Sequence, residues 1–119
     1  MDDNLDFGII DGELIRYNGV SENVLVPNGV IAIGENAFRE RLFLKTVSLP
    51  NSLQKIGNNA FFGCDILESV DISDGVLEIN LNAFDGCYSL KKLVIPKSVN
   101  KIIVDSKEHW LKGCSSLDN

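Results

Sequence analysis

The chain is 119 residues long, 45% apolar and 24% charged, with a formal net charge of −6. A chain of this size buries roughly two thirds of its unfolded surface, which suits a single domain spanning residues 1–119. The acidic balance repels phosphate backbones and Lys and Arg are scattered along the sequence, so no nucleic-acid partner is expected.

The N-terminus, MDDNLDF, is acidic and lacks a basic segment leading into an apolar one, so no signal peptide is expected. That reading fits a cytoplasmic protein or a mature secreted or cell-surface one, and localisation stays open. No apolar run reaches the length of a membrane span, so membrane insertion is not expected either. Residues Leu5–Tyr17 read as a β-hairpin, FGII and ELIRY joined by Asp11-Gly12. Asp-Gly suits the tight turn that needs φ > 0 at both central residues. This segment does not match the repeats that make up the rest of the chain, and residues 1–23 are expected to cap the N-terminal end.

Residues 24–92 are one 23-residue pattern written three times. The second copy is VSLPNSLQKIGNNAFFGCDILES (Val47–Ser69) and the third VDISDGVLEINLNAFDGCYSLKK (Val70–Lys92). Val47 aligns with Val70, Ile56 with Ile79, Phe61 with Phe84, Cys64 with Cys87 and Leu67 with Leu90. The first copy, Val24–Thr46, keeps Val24, Pro27, Ile33, Ala37 and Phe38 but carries Arg41 in the Cys place. Residues 93–119 open as a fourth copy, LVIPKSVNKI, then slip register, with Trp110, Cys114 and Leu117 taking the Phe, Cys and Leu places. A fixed period of this size is the signature of a stacked-repeat coil, and an irregular last copy is what a C-terminal cap requires.

Within each copy, alternation such as Leu67-x-x-Val70-x-Ile72 marks a short half-buried strand, with Ser69 and Asp71 facing out. Pro27, Pro50 and Pro96 stop that strand, because proline cannot donate to a ladder. A second extended piece comes next, at Val30–Ile33, Leu53–Ile56 and Val76–Ile79. Asn59–Gly63 and Asn82–Gly86 then suggest one helical turn each, with Asn as N-cap and Gly as terminator. Stacking puts Phe38, Phe61 and Phe84 in one aromatic column. Of the three cysteines, Cys64 and Cys87 share a repeat position and read as reduced core thiols; a bridge between neighbouring rungs is the alternative.

These residues resemble the BspA-like (Treponema-type) leucine-rich repeats. The resemblance rests on Leu44-x-x-Val47-x-Leu49-Pro50-x-x-Leu53-x-x-Ile56-Gly57-x-x-Ala60-Phe61-x-x-Cys64 and extends over about Val24 to Leu117. It implies an α/β repeat solenoid, β-rich with short helical turns, bounded by an N-terminal hairpin cap and an irregular C-terminal repeat. It also implies a parallel-sheet surface that binds other proteins, often at microbial surfaces in adhesion-type roles.

Outward strand positions recur at the same period and so form ladders. One is Asn23, Thr46, Ser69 and Lys92; the next is Leu25, Ser48, Asp71 and Val94. The protein-binding candidates are accordingly Thr46, Ser48, Ser69, Asp71, Lys92 and Val94. A third ladder, Glu22, Lys45, Glu68 and Lys91, alternates in sign and reads as ion pairs that set register. Four strands give a face of roughly 400 Å², against about 800 Å² per partner in a standard interface. The expected partner is another protein bound weakly, unless loops, caps or self-association through the C-terminal edge add area. Such edge-to-edge assembly is the alternative function.

Chemistry is poorly represented. His109 stands beside Trp110 with no Cys/His or Ser/His/Asp arrangement, and Asp71 and Asp74 read as solvated surface carboxylates. The glycines recur at turns and do not form a phosphate loop. No catalytic residue, metal site or cofactor is expected.

Overall fold

The computed structural model describes residues 6–103. His109, Trp110, Cys114, Leu117, the insertion near 104–108 and the C-terminal edge lie outside the described residues. Nine strands succeed one another among the described residues: β1 Phe7–Ile10, β2 Glu13–Tyr17, β3 Asn23–Leu25, β4 Ala32–Ile33, β5 Thr46–Ser48, β6 Lys55–Ile56, β7 Ser69–Asp71, β8 Glu78–Asn80 and β9 Lys101–Ile103. They make a β-solenoid with two sheets, one ordered β1-β2-β4-β6-β8-β9 and the other β3-β5-β7. Each of the three regular rungs gives one strand to each sheet, so every neighbour in the repeat region lies one period away. Asn23 pairs with Thr46 and Thr46 with Ser69, while Ala32 pairs with Lys55, Lys55 with Glu78 and Glu78 with Lys101, all parallel.

The hairpin forms as expected, with φ of 50° at Asp11 and 81° at Gly12. Its second strand also does something the sequence pattern does not announce. β2 pairs in parallel with β4, placing Leu14 beside Ile33, so the hairpin continues the larger sheet although it lacks the repeat pattern. Tyr17 then extends the aromatic column, with ring centroids 5.3 Å from Phe38; Phe38–Phe61 and Phe61–Phe84 come next at 5.0 and 5.5 Å, their ring planes nearly parallel. A tyrosine suits this position, between Phe38 and the ring of Phe7 (centroids 5.3 Å apart), because its ring is buried while its hydroxyl accepts the Ser21 N–H at 3.2 Å. Gly19 is required beside it, since any Cβ there would collide with the Tyr17 ring.

The expected helical turns are a correction. Among the described rungs only the third forms one, a 3-10 helix at Leu81–Phe84, whose cap residue is Asn80 and makes no side-chain cap bond. Asn59 is not an N-cap; it sits in the left-handed region at φ 57°. The reason is competition for donors. Asn36, Phe38 and Glu40 donate to the carbonyls of Asn58, Ala60 and Phe62 one rung on, at 3.1, 2.7 and 2.7 Å. The intervening Ala37, Arg39 and Arg41 donate three residues back, to Gly34, Asn36 and Phe38. A helix would send every N–H within its own rung. Here half of them join the rungs, forming a third hydrogen-bonded side of the coil.

Buried side chains run down the axis: Leu44, Leu67 and Leu90; Ile33, Ile56 and Ile79; Ala37, Ala60 and Ala83. Cys64 and Cys87 are buried and are not bridged to each other; their Sγ–H groups donate to the carbonyls of Phe38 and Phe61, at 3.0 and 3.2 Å. The alternating-charge ladder is a second correction. Glu22, Lys45, Glu68 and Lys91 do stack by backbone bonds of 2.7 to 3.0 Å. The ion pairs among the described residues are instead Lys55–Glu78 and Lys101–Glu78 at 3.8 and 3.9 Å, on the opposite sheet.

Candidate binding face

The smaller sheet and the rung beyond it carry all the residues singled out as protein-binding candidates. In β3, β5 and β7 the central valines, Val24, Val47 and Val70, turn inward and are buried, which forces their neighbours outward. Thr46 and Ser48 are half-buried at the centre of this face, and Ser69 and Asp71 are exposed. Register then makes the columns. Leu25 pairs with Ser48 and Ser48 with Asp71, while Asn23 pairs with Thr46 and Thr46 with Ser69. Thr46 Oγ1 donates to Asn23 Oδ1 at 2.7 Å, so part of the polar ladder is satisfied across rungs.

The fourth rung attaches more loosely here than on the other sheet. Lys92 joins Ser69 by a single parallel bridge, whereas β9 runs in register along β8. Lys92 and Val94 are exposed, and with Ser69, Asp71 and Ile72 they line a shallow depression of about 350 Å³. A second depression of about 400 Å³ lies at the other end of the face, between Leu25, Pro27, Ser48 and Pro50. Leu25 is 76% exposed and Val94 59% exposed, so the column is polar in the middle and apolar at both ends. Leu25 belongs with the candidates, and the repeat period already placed it in their ladder.

The opposite face is built differently. Glu13, Ala32, Lys55 and Glu78 line a groove of about 340 Å³ on the larger sheet, where Glu78 stands between Lys55 and Lys101. Glu78 is engaged by both lysines, whereas Glu13 and Glu35 in this groove, like Asp71 and Lys92 on the smaller sheet, have no ion-pair partner among the described residues. The signal for this face was in the sequence: Lys55, Glu78 and Lys101 are also one period apart.

Reactive chemistry is sparse among the described residues. No three of His, Cys, Asp and Glu come together as metal ligands there. Burial pushes the Cys64 thiol up from its ordinary 9.0 to about 11, which leaves it protonated and a poor nucleophile at neutral pH. No helix among the described residues is long and apolar enough to cross a membrane.

The sequence profile described as BspA type Leucine rich repeat region (6 copies) matches residues 15–119, beginning inside β2 and so further upstream than the Val24 start read from the repeats. Among solved structures, a T. pallidum leucine-rich repeat protein is 33% identical, with a TM-score of 0.75 over 81% of this chain. A leucine-rich repeat protein from Bacteroides capillosus is 30% identical, with a TM-score of 0.73, covering 90% of this chain and 86% of that one. Another from Bacteroides ovatus is 28% identical, with a TM-score of 0.70 over 87% of this chain. The chain spans about half (49%) of the T. pallidum protein and 28% of the B. ovatus one. Comparison with curated protein sequences gave no match.

Proposed function

The chain belongs to the BspA-type leucine-rich repeat family, and from that premise we propose that it is a non-enzymatic protein-binding module whose contact surface is the β3-β5-β7 face. The family and fold are typically non-enzymatic and suit protein interaction. One observation carries the choice of surface. Leu25, Ser48 and Asp71 stand in one outward column, continued by Val94, while the residues that repeat from rung to rung are buried beneath them. Repeated residues build the coil; the variable outward ones are free to differ and so to recognise.

The face is small, and a few rungs of short strands supply less than the roughly 800 Å² that a standard interface takes from each side. Binding through it alone is therefore weak, and an adhesion-type role, which gains strength from many copies, is the finer form of this reading. The test is capture of a partner by the wild-type chain and by the Ser48→Arg/Asp71→Arg double variant. Capture that disappears with the double variant, while its folding is unchanged, supports the face. Capture that survives moves the site elsewhere.

A further inference from the structure

Three arginines occur in the chain, Arg16, Arg39 and Arg41, and all three line one shallow pocket of about 370 Å³, with Asn36 and Glu40 completing its wall. Arg16 comes from β2, and the other two from the turn after Phe38. Residues scattered in sequence are gathered by the fold. This pocket lies at the turns of the coil and not on the strand face, so it stands apart from the proposed β3-β5-β7 contact surface.

Two of the guanidiniums are held in place. Arg41 Nε and Nη2 donate to the Tyr17 carbonyl at 2.9 and 2.8 Å, and its Nη1 donates to the Arg39 carbonyl at 3.3 Å. Arg39 Nη1 donates to Asn36 Oδ1 at 3.3 Å, and its guanidinium lies over the Phe62 ring, 4.5 Å from the centroid. Arg16 is exposed at the rim. No carboxylate among the described residues pairs with any of the three: the ion pairs there all involve Glu78. Glu40, the acid in the pocket wall, runs its side chain over Gly63 toward the next rung. In a chain of net charge −6, three arginines against one glutamate make a local excess of positive charge.

The Tyr17 carbonyl alone does not explain an arginine at position 41. Cys64 and Cys87 satisfy the equivalent carbonyls of Phe38 and Phe61 with a thiol. A guanidinium has five N–H donors, and the Tyr17 and Arg39 carbonyls take three of Arg41's. The two left on Nη1 and Nη2 can meet a carboxylate from a group already held in place, which lowers the cost of ordering it on binding. Beside the pocket, and sharing Glu40, lies a second depression lined by Leu42, Phe62, Gly63, Gly86 and Tyr88, with Asp65 as the other acid in its wall. Leu42 is 59% and Tyr88 54% exposed. A free oxyanion would use only the arginines; a peptide would use both depressions.

We propose that this pocket binds an acidic peptide segment of a partner protein, its carboxylates held by Arg16, Arg39 and Arg41 and a following apolar side chain seated against Leu42 and Tyr88. The test uses the full 15N-labelled chain, whose three arginines give three separable Nε–Hε signals. They are followed during titration with the peptide acetyl-Glu-Glu-Leu-Phe-amide, with the Gln-Gln-Leu-Phe analogue and inorganic phosphate as parallel arms. The expected result is that the arginine signals move together with one Kd for the glutamate peptide. Arg16→Gln, an exposed change that leaves the amide spectrum folded, weakens that Kd by roughly tenfold, the scale of one charge-assisted pair. Salt of about 0.5 M weakens it as well. Signals that stay still at millimolar peptide, equal binding of the glutamine analogue, or indifference to Arg16→Gln overturns the proposal. So does phosphate acting at the same concentrations as the peptide, which would make the pocket a general oxyanion site.

Discussion

Arg41 sends Nε and Nη2 to the carbonyl of Tyr17, at 2.9 and 2.8 Å, and so makes in the first rung the contact that Cys64 makes with Phe38 and Cys87 with Phe61. The two positions are 24 residues apart here and 26 apart in the later pairs, because the hairpin joins the coil with a shorter connection. The relationship predicts a graded series. Arg41→Ala leaves the Tyr17 carbonyl without that partner and costs about 1–3 kcal/mol. Arg41→Cys, which restores the residue of the later rungs, recovers most of the loss. Urea denaturation of the two variants beside wild type measures the difference.

The aromatic column gives a second prediction. Phe61 lies between Phe38 and Phe84 at 5.0 and 5.5 Å and is fully buried. Phe61→Ala is expected to cost about 3–5 kcal/mol, from lost transfer energy and the cavity left behind. Phe61→Leu, which keeps most of the volume, costs clearly less. Thermal melts of the pair provide the check.

A third prediction concerns charge. Glu78 stands between Lys55 and Lys101, and its side chain is 22% exposed while theirs are 54% and 63% exposed. Glu78→Lys brings three lysines together and is expected to lower stability by up to about 1 kcal/mol, less at high salt. Lys45→Gln, in the ladder that forms no ion pair among the described residues, removes a charge without placing like charges together and is expected to show almost no salt-dependent change. Paired melts at low and high salt separate the two.

The buried Cys64 thiol predicts a dependence on pH. Burial raises its pKa from 9.0 to about 11, so the folded chain holds this proton more tightly than the unfolded one. Its contribution is complete below pH 9.0 and is lost as pH rises through about 11. The loss across that range is on the order of 2 kcal/mol. Cys64→Ala is expected to flatten this part of the profile. Denaturation midpoints from pH 8 to about pH 11 measure it.

The period made much of this molecule legible. Because a rung repeats after a fixed count, Asn23, Thr46 and Ser69 had to lie side by side, and so did Phe38, Phe61 and Phe84. Tyr17 was missed because the hairpin is off the period, and stacking on Phe38 depends on the β2–β4 pairing alone. The turns after each Ala-Phe read as helical because Asn-Ala-Phe suits a helix locally. What decides them is N–H groups donating to carbonyls of the next rung, which no local pattern reveals. The arginine pocket was hidden for a similar reason: Arg16 meets Arg39 and Arg41 through the hairpin's attachment to the first rung.

Whether a partner sits on the outward column of the smaller sheet is best decided by photo-crosslinking. Benzoylphenylalanine replaces Asp71 or Val94 on that face, and Lys55 or Glu78 on the opposite one. A crosslinked partner is expected from positions 71 and 94 and none from 55 and 78. Crosslinks from 55 and 78 with none from 71 and 94 would place the partner on the larger sheet and contradict the proposed surface.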